Sequence, residues 1–158
     1  MLEPIQTIVI VGGGSSGWMS AAMLSQLTGR QFQIRLIESE QIGTVGVGES
    51  TIPPVTLFHN LLGIDEQEFM RATDATFKLG ISFENWGRPG DHYFHPFGVT
   101  GKGSFLSDFQ HYYLHGLSQG IAAPFGDYCY ELQAAKQHKF AKTEQSTINY
   151  AYHLDAGR

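Results

Sequence analysis

The stretch Gly12-Gly13-Gly14-Ser15-Ser16-Gly17 follows the apolar run Ile8-Val9-Ile10-Val11 and opens Trp18-Met19-Ser20-Ala21-Ala22-Met23-Leu24. A strand, a glycine-rich turn and a helix in that order are the setting in which G-x-G-x-x-G binds a dinucleotide. Gly12 permits the tight turn, Gly14 lets the backbone approach a pyrophosphate, and Gly17 lets the helix pack close to the strand. Gly13, Ser15 and Ser16 are placed for phosphate contacts beside the exposed N–H groups of the helix start. Downstream, Gln33-Ile34-Arg35-Leu36-Ile37-Glu38 reads as a second parallel strand. It ends on an acid, Glu38, positioned for the ribose hydroxyls of an adenine nucleotide, with Ser39 and Ile42 bordering the adenosine. Residues 5–38 are therefore expected to form one βαβ unit. Its first strand, Ile5 to Val11, should be buried, and its helix, Ser16 to Leu27, should bury Met19, Ala22, Met23 and Leu27.

A second glycine cluster, Gly46-Val47-Gly48-Glu49-Ser50-Thr51-Ile52-Pro53-Pro54, lies outside any ordinary dinucleotide fingerprint. Its small side chains and backbone N–H groups, those of Gly48, Glu49 and Ser50 among them, look like a ligand cradle. Short helices are expected over Val55 to Leu62 and, capped by Asp65, over Glu66 to Thr73. Phe77 to Phe83 alternates enough for one strand, with Lys78 among apolar neighbours. Residues 84–103 are aromatic and Gly/Pro-rich, which suits irregular structure or short hairpin strands. Helices are expected again over Asp108 to Gln119 and Tyr128 to Lys139, then a polar loop over Lys142 to Thr147. Tyr150 onward reads as a strand running into a helix start, with Asp155 as its cap.

Composition narrows the partners. The 158 residues carry 42% hydrophobic and 13% aromatic residues and a net charge of −5 without a basic run, values of a globular domain that does not bind nucleic acid. The single Cys129 forms no internal disulfide and reads as a buried structural thiol, which fits a reducing cytoplasm. No stretch reaches the roughly 20 apolar residues of a membrane span. His92 and His95 lie near each other, but no further ligand is spaced to join them, so no metal is expected.

Four segments resemble the flavin-dependent halogenases of the tryptophan halogenase family. They are Gly12 to Met19, Gly46 to Pro53, Phe77-Lys78 with Phe83-Glu84-Asn85-Trp86, and Tyr93-Phe94-His95-Pro96-Phe97-Gly98 with the later His153-Leu154-Asp155-Ala156. The resemblance implies an α/β fold: a Rossmann-like FAD-binding βαβ unit with a mixed sheet and added helices, similar to flavin monooxygenases and incomplete without downstream chain. Residues 1–158 would be the N-terminal part of that domain. The implied cofactor is FAD as FADH2, with a halide ion as co-substrate. The implied reaction delivers hypohalous acid to Lys78, the family's essential lysine, and halogenates an electron-rich ring such as indole or tryptophan stacked by His95 and Phe97. The implied partners are that aromatic small molecule, a separate flavin reductase supplying FADH2 and, as one option, a second copy of the chain.

The family's Trp-x-Trp-x-Ile-Pro motif and catalytic glutamate are not here, since the only tryptophans are Trp18 and Trp86. The chain alone is expected to be inactive and to expose a sheet edge and apolar helix faces. Two other readings stand beside the halogenase. One is a related flavin monooxygenase, against which Lys78 and the 46–53 cluster weigh; the other is a non-catalytic flavin-binding module.

Overall fold

The structure is a computed structural model that describes residues 4–43, 48–142 and 148–155. In chain order the elements are β1 (Thr7–Val11), α1 (Ser15–Thr28), β2 (Gln33–Ile37), β3 (Gly48–Ser50), α2 (Pro54–Leu62), α3 (Glu66–Ala72), β4 (Thr76–Lys78), β5 (Gly80–Glu84), β6 (His92–Pro96), α4 (Phe109–Ser118), α5 (Tyr130–Lys136) and β7 (Ala151–Asp155). A 3-10 turn, Phe125–Tyr128, leads into α5. The residues form two units, each assembled from separated pieces of sequence. The first takes the chain up to Glu49, Pro54–Thr76 and the chain from His153; the second takes Ser50–Pro53 and Phe77–Tyr152.

In the first unit β1 and β2 pair in parallel, Thr7 opposite Gln33 through Val11 opposite Ile37, and α1 crosses between them. Gly12 N–H donates to Ile37 O at 2.9 Å, so the ladder runs one residue into the turn. Gly12 then adopts φ +127°, a backbone region that side chains rarely tolerate. The helix half-buries Gly17, Ala21, Ala22, Met23, Leu24 and Thr28, so Ala22 and Met23 of the expected face are covered. Met19 and Leu27, expected on the buried face, are instead exposed. The reason is Gly17: its close contact with the Gly12 carbonyl turns the Ala21 and Leu24 side of α1 toward the strand and leaves Met19 and Leu27 outside that contact. β1 is not the buried strand expected either, since Val11 is 81% exposed. Two strands and one helix cover only part of its surface, and no third strand joins β1 and β2 among the described residues.

Helices α2 and α3 follow the sequence reading closely. Gly63 takes φ +69° just past α2. The Asp65 carboxylate accepts from Glu68 N–H at 2.8 Å and caps α3.

The single strand expected over 77–83 is two strands in two different sheets. β4 belongs to a three-stranded sheet ordered β3-β7-β4, while β5 pairs antiparallel with β6. The break falls at Leu79, followed by Gly80. A side chain at Gly80 would strike His95 O and the Phe94 ring, so β6 crosses there at a distance only glycine allows. The β5–β6 hairpin stacks Phe83 on Tyr93 at 4.8 Å between ring centroids. Its loop is held by Asn85 Oδ1, which accepts from Gly90 N–H at 2.6 Å.

The second unit's core is aromatic. Phe77 stacks on Phe140 at 3.7 Å and meets Tyr150 edge-on at 5.4 Å. Tyr152, Ala151, Leu79 and Cys129 are buried. The helix expected over Tyr128 to Lys139 is shorter, the 3-10 turn and α5 sharing its range. Residues 151–155 form the expected strand, and the helix start expected beyond Asp155 lies outside the described residues. The polar loop expected after Lys142 lies largely outside the described residues, as do Gly46 and Val47.

Candidate functional site

Two sites emerge, one in each unit. In the first, a cavity of about 800 Å3 opens at the carboxyl ends of β1 and β2. Gly12, Gly13, Gly14, Ser15, Glu38, Ser39 and Ile42 all line it. This is the crevice where doubly wound folds take their ligands. A side chain at Gly12 or Gly14 would meet no protein atom within 4 Å, so both glycines border open space. Gly14 is the N-cap of α1 without a side-chain cap, which leaves the helix's first N–H groups available to an anion. Gly13 packs directly on the Glu38 side chain and Gly17 on the Gly12 carbonyl. Ser16 and Gly17 lie in the first turn of α1 and are not among the cavity's lining residues. Together these features fit the pyrophosphate and adenosine portion of a flavin dinucleotide. Gly48 and Glu49 lie on β3 and are not among the cavity's lining residues.

In the second unit Lys78 ends β4 and is only 7% exposed, so it is not a solvated strand residue. Its ammonium donates to Ser50 Oγ at 2.7 Å and to Thr51 O at 3.0 Å. The Phe97 ring lies 5.4 Å from Nζ, within cation–π range. An ammonium carries three N–H donors; two are engaged and, among the described residues, one remains. Phe97 is held near by its own N–H, which donates to Leu79 O at 2.9 Å. Thr51 is fixed by three hydrogen bonds to Tyr152: Thr51 N–H to Tyr152 O at 2.9 Å, Thr51 Oγ1 to the same oxygen at 3.1 Å, and Tyr152 N–H to Thr51 Oγ1 at 2.9 Å. His95 sits opposite Ile81 on β6 with an exposed side chain. Of the two expected ring-stacking residues, Phe97 is thus beside Lys78, whereas no contact links His95 to the lysine.

Burial pushes the Lys78 ammonium below a lysine's usual 10.5. The unfolded chain, at the ordinary value, keeps its proton through a pH interval in which the folded chain releases it. Stability from this residue therefore rises with pH from the lowered folded value up to 10.5. Thermal unfolding of wild type and Lys78→Met across that interval should show the wild type gaining on the variant as pH rises. Parallel curves would mean that the ammonium is not desolvated.

A model of a family described as tryptophan halogenase matches residues 7–158. The chain belongs to the tryptophan halogenase family. It is similar to Xcc4156, a flavin-dependent halogenase from Xanthomonas campestris, at 55% identity and a TM-score of 0.88, over 98% of this chain and 31% of that one. BrvH, a flavin-dependent halogenase from Brevundimonas sp. BAL3, is 40% identical with a TM-score of 0.82, over 97% of this chain and 31% of its own. The tryptophan 7-halogenase RebH of Lentzea aerocolonigenes is 36% identical over 99% of this chain and 33% of its own length. The chain thus spans about a third of the length of these halogenases. The α/β fold class read from the glycine-rich turn is the one it shares with them.

Among the described residues, no helix of this halogenase-family chain is long and apolar enough to cross a membrane. Two contributors to the lysine site escaped the sequence reading. Thr51 acts through its backbone carbonyl, which no side-chain motif reveals. Tyr152 acts by pairing with Thr51 across 101 residues of chain. A tyrosine within a β-prone run was visible, but its partner was not.

Proposed function

We propose that the protein to which this chain belongs halogenates an electron-rich aromatic ring, such as that of tryptophan or indole, with chloride or bromide. The observation that carries the reading is the buried Lys78 ammonium with one uncommitted N–H, facing an aromatic ring. FAD is the cofactor, received as FADH2 from a separate flavin reductase. Gly12, Gly13, Gly14 and Ser15 hold its pyrophosphate, Glu38 holds the adenosine ribose, and Ser39 and Ile42 border the adenosine. When bound, the reduced flavin supplies hypohalous acid from oxygen and halide.

Lys78 then receives that acid. Its remaining N–H donates to the hypohalous oxygen, which draws electron density from the halogen. The substrate ring attacks the halogen, the O–halogen bond breaks, and the oxygen leaves as water once protonated. The ring proton is lost, so the net change is an aromatic C–H and hypohalous acid becoming an aryl halide and water. The Phe97 ring beside the ammonium excludes bulk water that would dilute the acid. Phe97 and His95 stack the substrate ring, since offset aromatic contacts orient a ring while leaving its edge open.

The test is a halogenation assay on the full-length protein with FAD, a flavin reductase, NADH, oxygen and chloride or bromide, with tryptophan and indole as substrates. A halogenated product by mass spectrometry supports the proposal. Consumption of reduced flavin with neither halogenated product nor hypohalous acid would sink it and favour a monooxygenase. The cofactor assignment has its own check. Glu38→Ala should weaken FAD by about tenfold, the worth of a charge-assisted hydrogen bond. Binding of FMN, which has no adenosine, should not change; equal losses for both nucleotides would remove Glu38 from the ribose.

A further inference from the structure

Glu131 is a buried carboxylate that the proposed chemistry does not use. It stands in α5, is 4% exposed, and among the described residues meets no cation. Its partners are the Cys129 thiol at 3.7 Å and the Asn149 N–H at 3.4 Å, two weak donors for a carboxyl group held out of water. Its carboxylate also lies directly against Gly98, where an added Cβ would overlap it. Gly98 is not in the positive-φ region, so the close approach of this carboxylate is what the missing side chain accommodates.

The surroundings show what that contact holds. Residues 97–101 form a strip fixed on one side by Phe97 N–H to Leu79 O at 2.9 Å, next to Lys78. On the other side Thr100 bridges Cys129, and Gly101 N–H donates to Tyr128 O at 2.8 Å. Glu131 fills the corner of this arrangement behind Gly98. Through Asn149 it also touches the segment leading to Tyr152, which fixes Thr51. One buried carboxylate thus contacts both the strip that carries Phe97 and the segment whose Tyr152 holds Thr51.

We propose that Glu131 is a positioning residue that sets the Phe97 ring beside Lys78 by bracing Gly98. The proposal rests on the halogenase reading above and deepens it. The experiment is a double-mutant cycle of Glu131→Ala and Phe97→Leu in the full-length protein, with Glu131→Gln alongside. Glu131→Ala should raise KM for the aromatic substrate about tenfold, as expected for a misplaced binding ring, with kcat and consumption of reduced flavin little changed. Glu131→Gln, which keeps the shape and one acceptor, should restore most of the loss. The double variant should be no worse than Phe97→Leu, because Glu131 acts through that ring.

Fully additive effects would overturn the proposal, as would an unchanged KM or a loss of kcat and flavin binding in step with the folded fraction. Should Glu131→Ala not fold, Gly98→Ala displaces the carboxylate without deleting it and must give the same rise in KM; an unaltered KM there overturns the proposal too. If wild type makes no halogenated product, the activity itself has failed. The same cycle read on indole affinity by equilibrium dialysis then decides for Glu131, and independence of the two sites refutes its role.

Discussion

Lys78→Met should reduce halogenated product by about 10²–10⁴-fold, the usual worth of a positioned proton donor, while reduced flavin is still consumed. Methionine matches the length of the lysine stem and keeps an apolar side chain beside the Phe97 ring. It removes a buried charge, which favours folding, and leaves Ser50 Oγ and Thr51 O without their donor, which costs about 1–3 kcal/mol. These effects oppose each other, so the melting temperature near neutral pH should move little. Loss of product without loss of fold would then trace to the ammonium itself. Trapping with an external scavenger completes the test: the variant should release hypohalous acid that wild type delivers to the ring. Unchanged product yield would remove Lys78 from the chemistry.

The second large effect is expected at the glycine-rich turn, where two neighbouring glycines should respond in opposite ways. Glycine to alanine inside a helix ordinarily gains about 0.5–1 kcal/mol. At Gly17 the new methyl would strike the Gly12 carbonyl, a backbone atom that cannot rotate away. Gly17→Ala should instead destabilise by about 1–3 kcal/mol, the cost of overpacking, and weaken FAD by tenfold or more as α1 is pushed off the turn. Gly14 has φ −77°, which alanine accepts, and its methyl would enter open space. Gly14→Ala should therefore keep the melting temperature and still lose FAD, because the methyl occupies the approach of the pyrophosphate. Calorimetry paired with a flavin titration separates the two. A Gly14→Ala protein that binds FAD as wild type does would place the phosphates elsewhere.

Local signals carried much of the fold. The Ile8–Val11 run, the glycine turn and the Gln33–Ile37 run determined β1, α1 and β2 because each is decided by its own few residues. Asp65 and Gly63 marked helix ends for the same reason. The misreadings concern what neighbours do. Met19 and Leu27 looked like a buried face by periodicity, but the close approach at Gly17 rotates the contact toward Ala21 and Leu24. The break at Leu79 was not read, although Gly80 stands inside the strand pattern; only the close approach of β6 at that point explains it. At the site, Lys78 and Phe97 were named from sequence, whereas Thr51 and Glu131 were not. Thr51 offers a main-chain oxygen, and Glu131 in a short polar-apolar helix resembles any surface acid until Gly98 is seen against it.

The pairing of Thr51 with Tyr152 has a consequence in time as well as in space. Closing a loop of 101 residues comes late in folding, because chain entropy opposes it until other contacts are made. On the ribosome, at about 5–20 residues per second, Lys78 emerges several seconds before Tyr152 does. During that interval the carbonyl of Thr51 has no strand to hold it, and the ammonium of Lys78 stays hydrated at its ordinary basicity. The lysine acquires its buried setting only when the far end of the unit arrives, so a chain released before Tyr152 carries the residue without that setting.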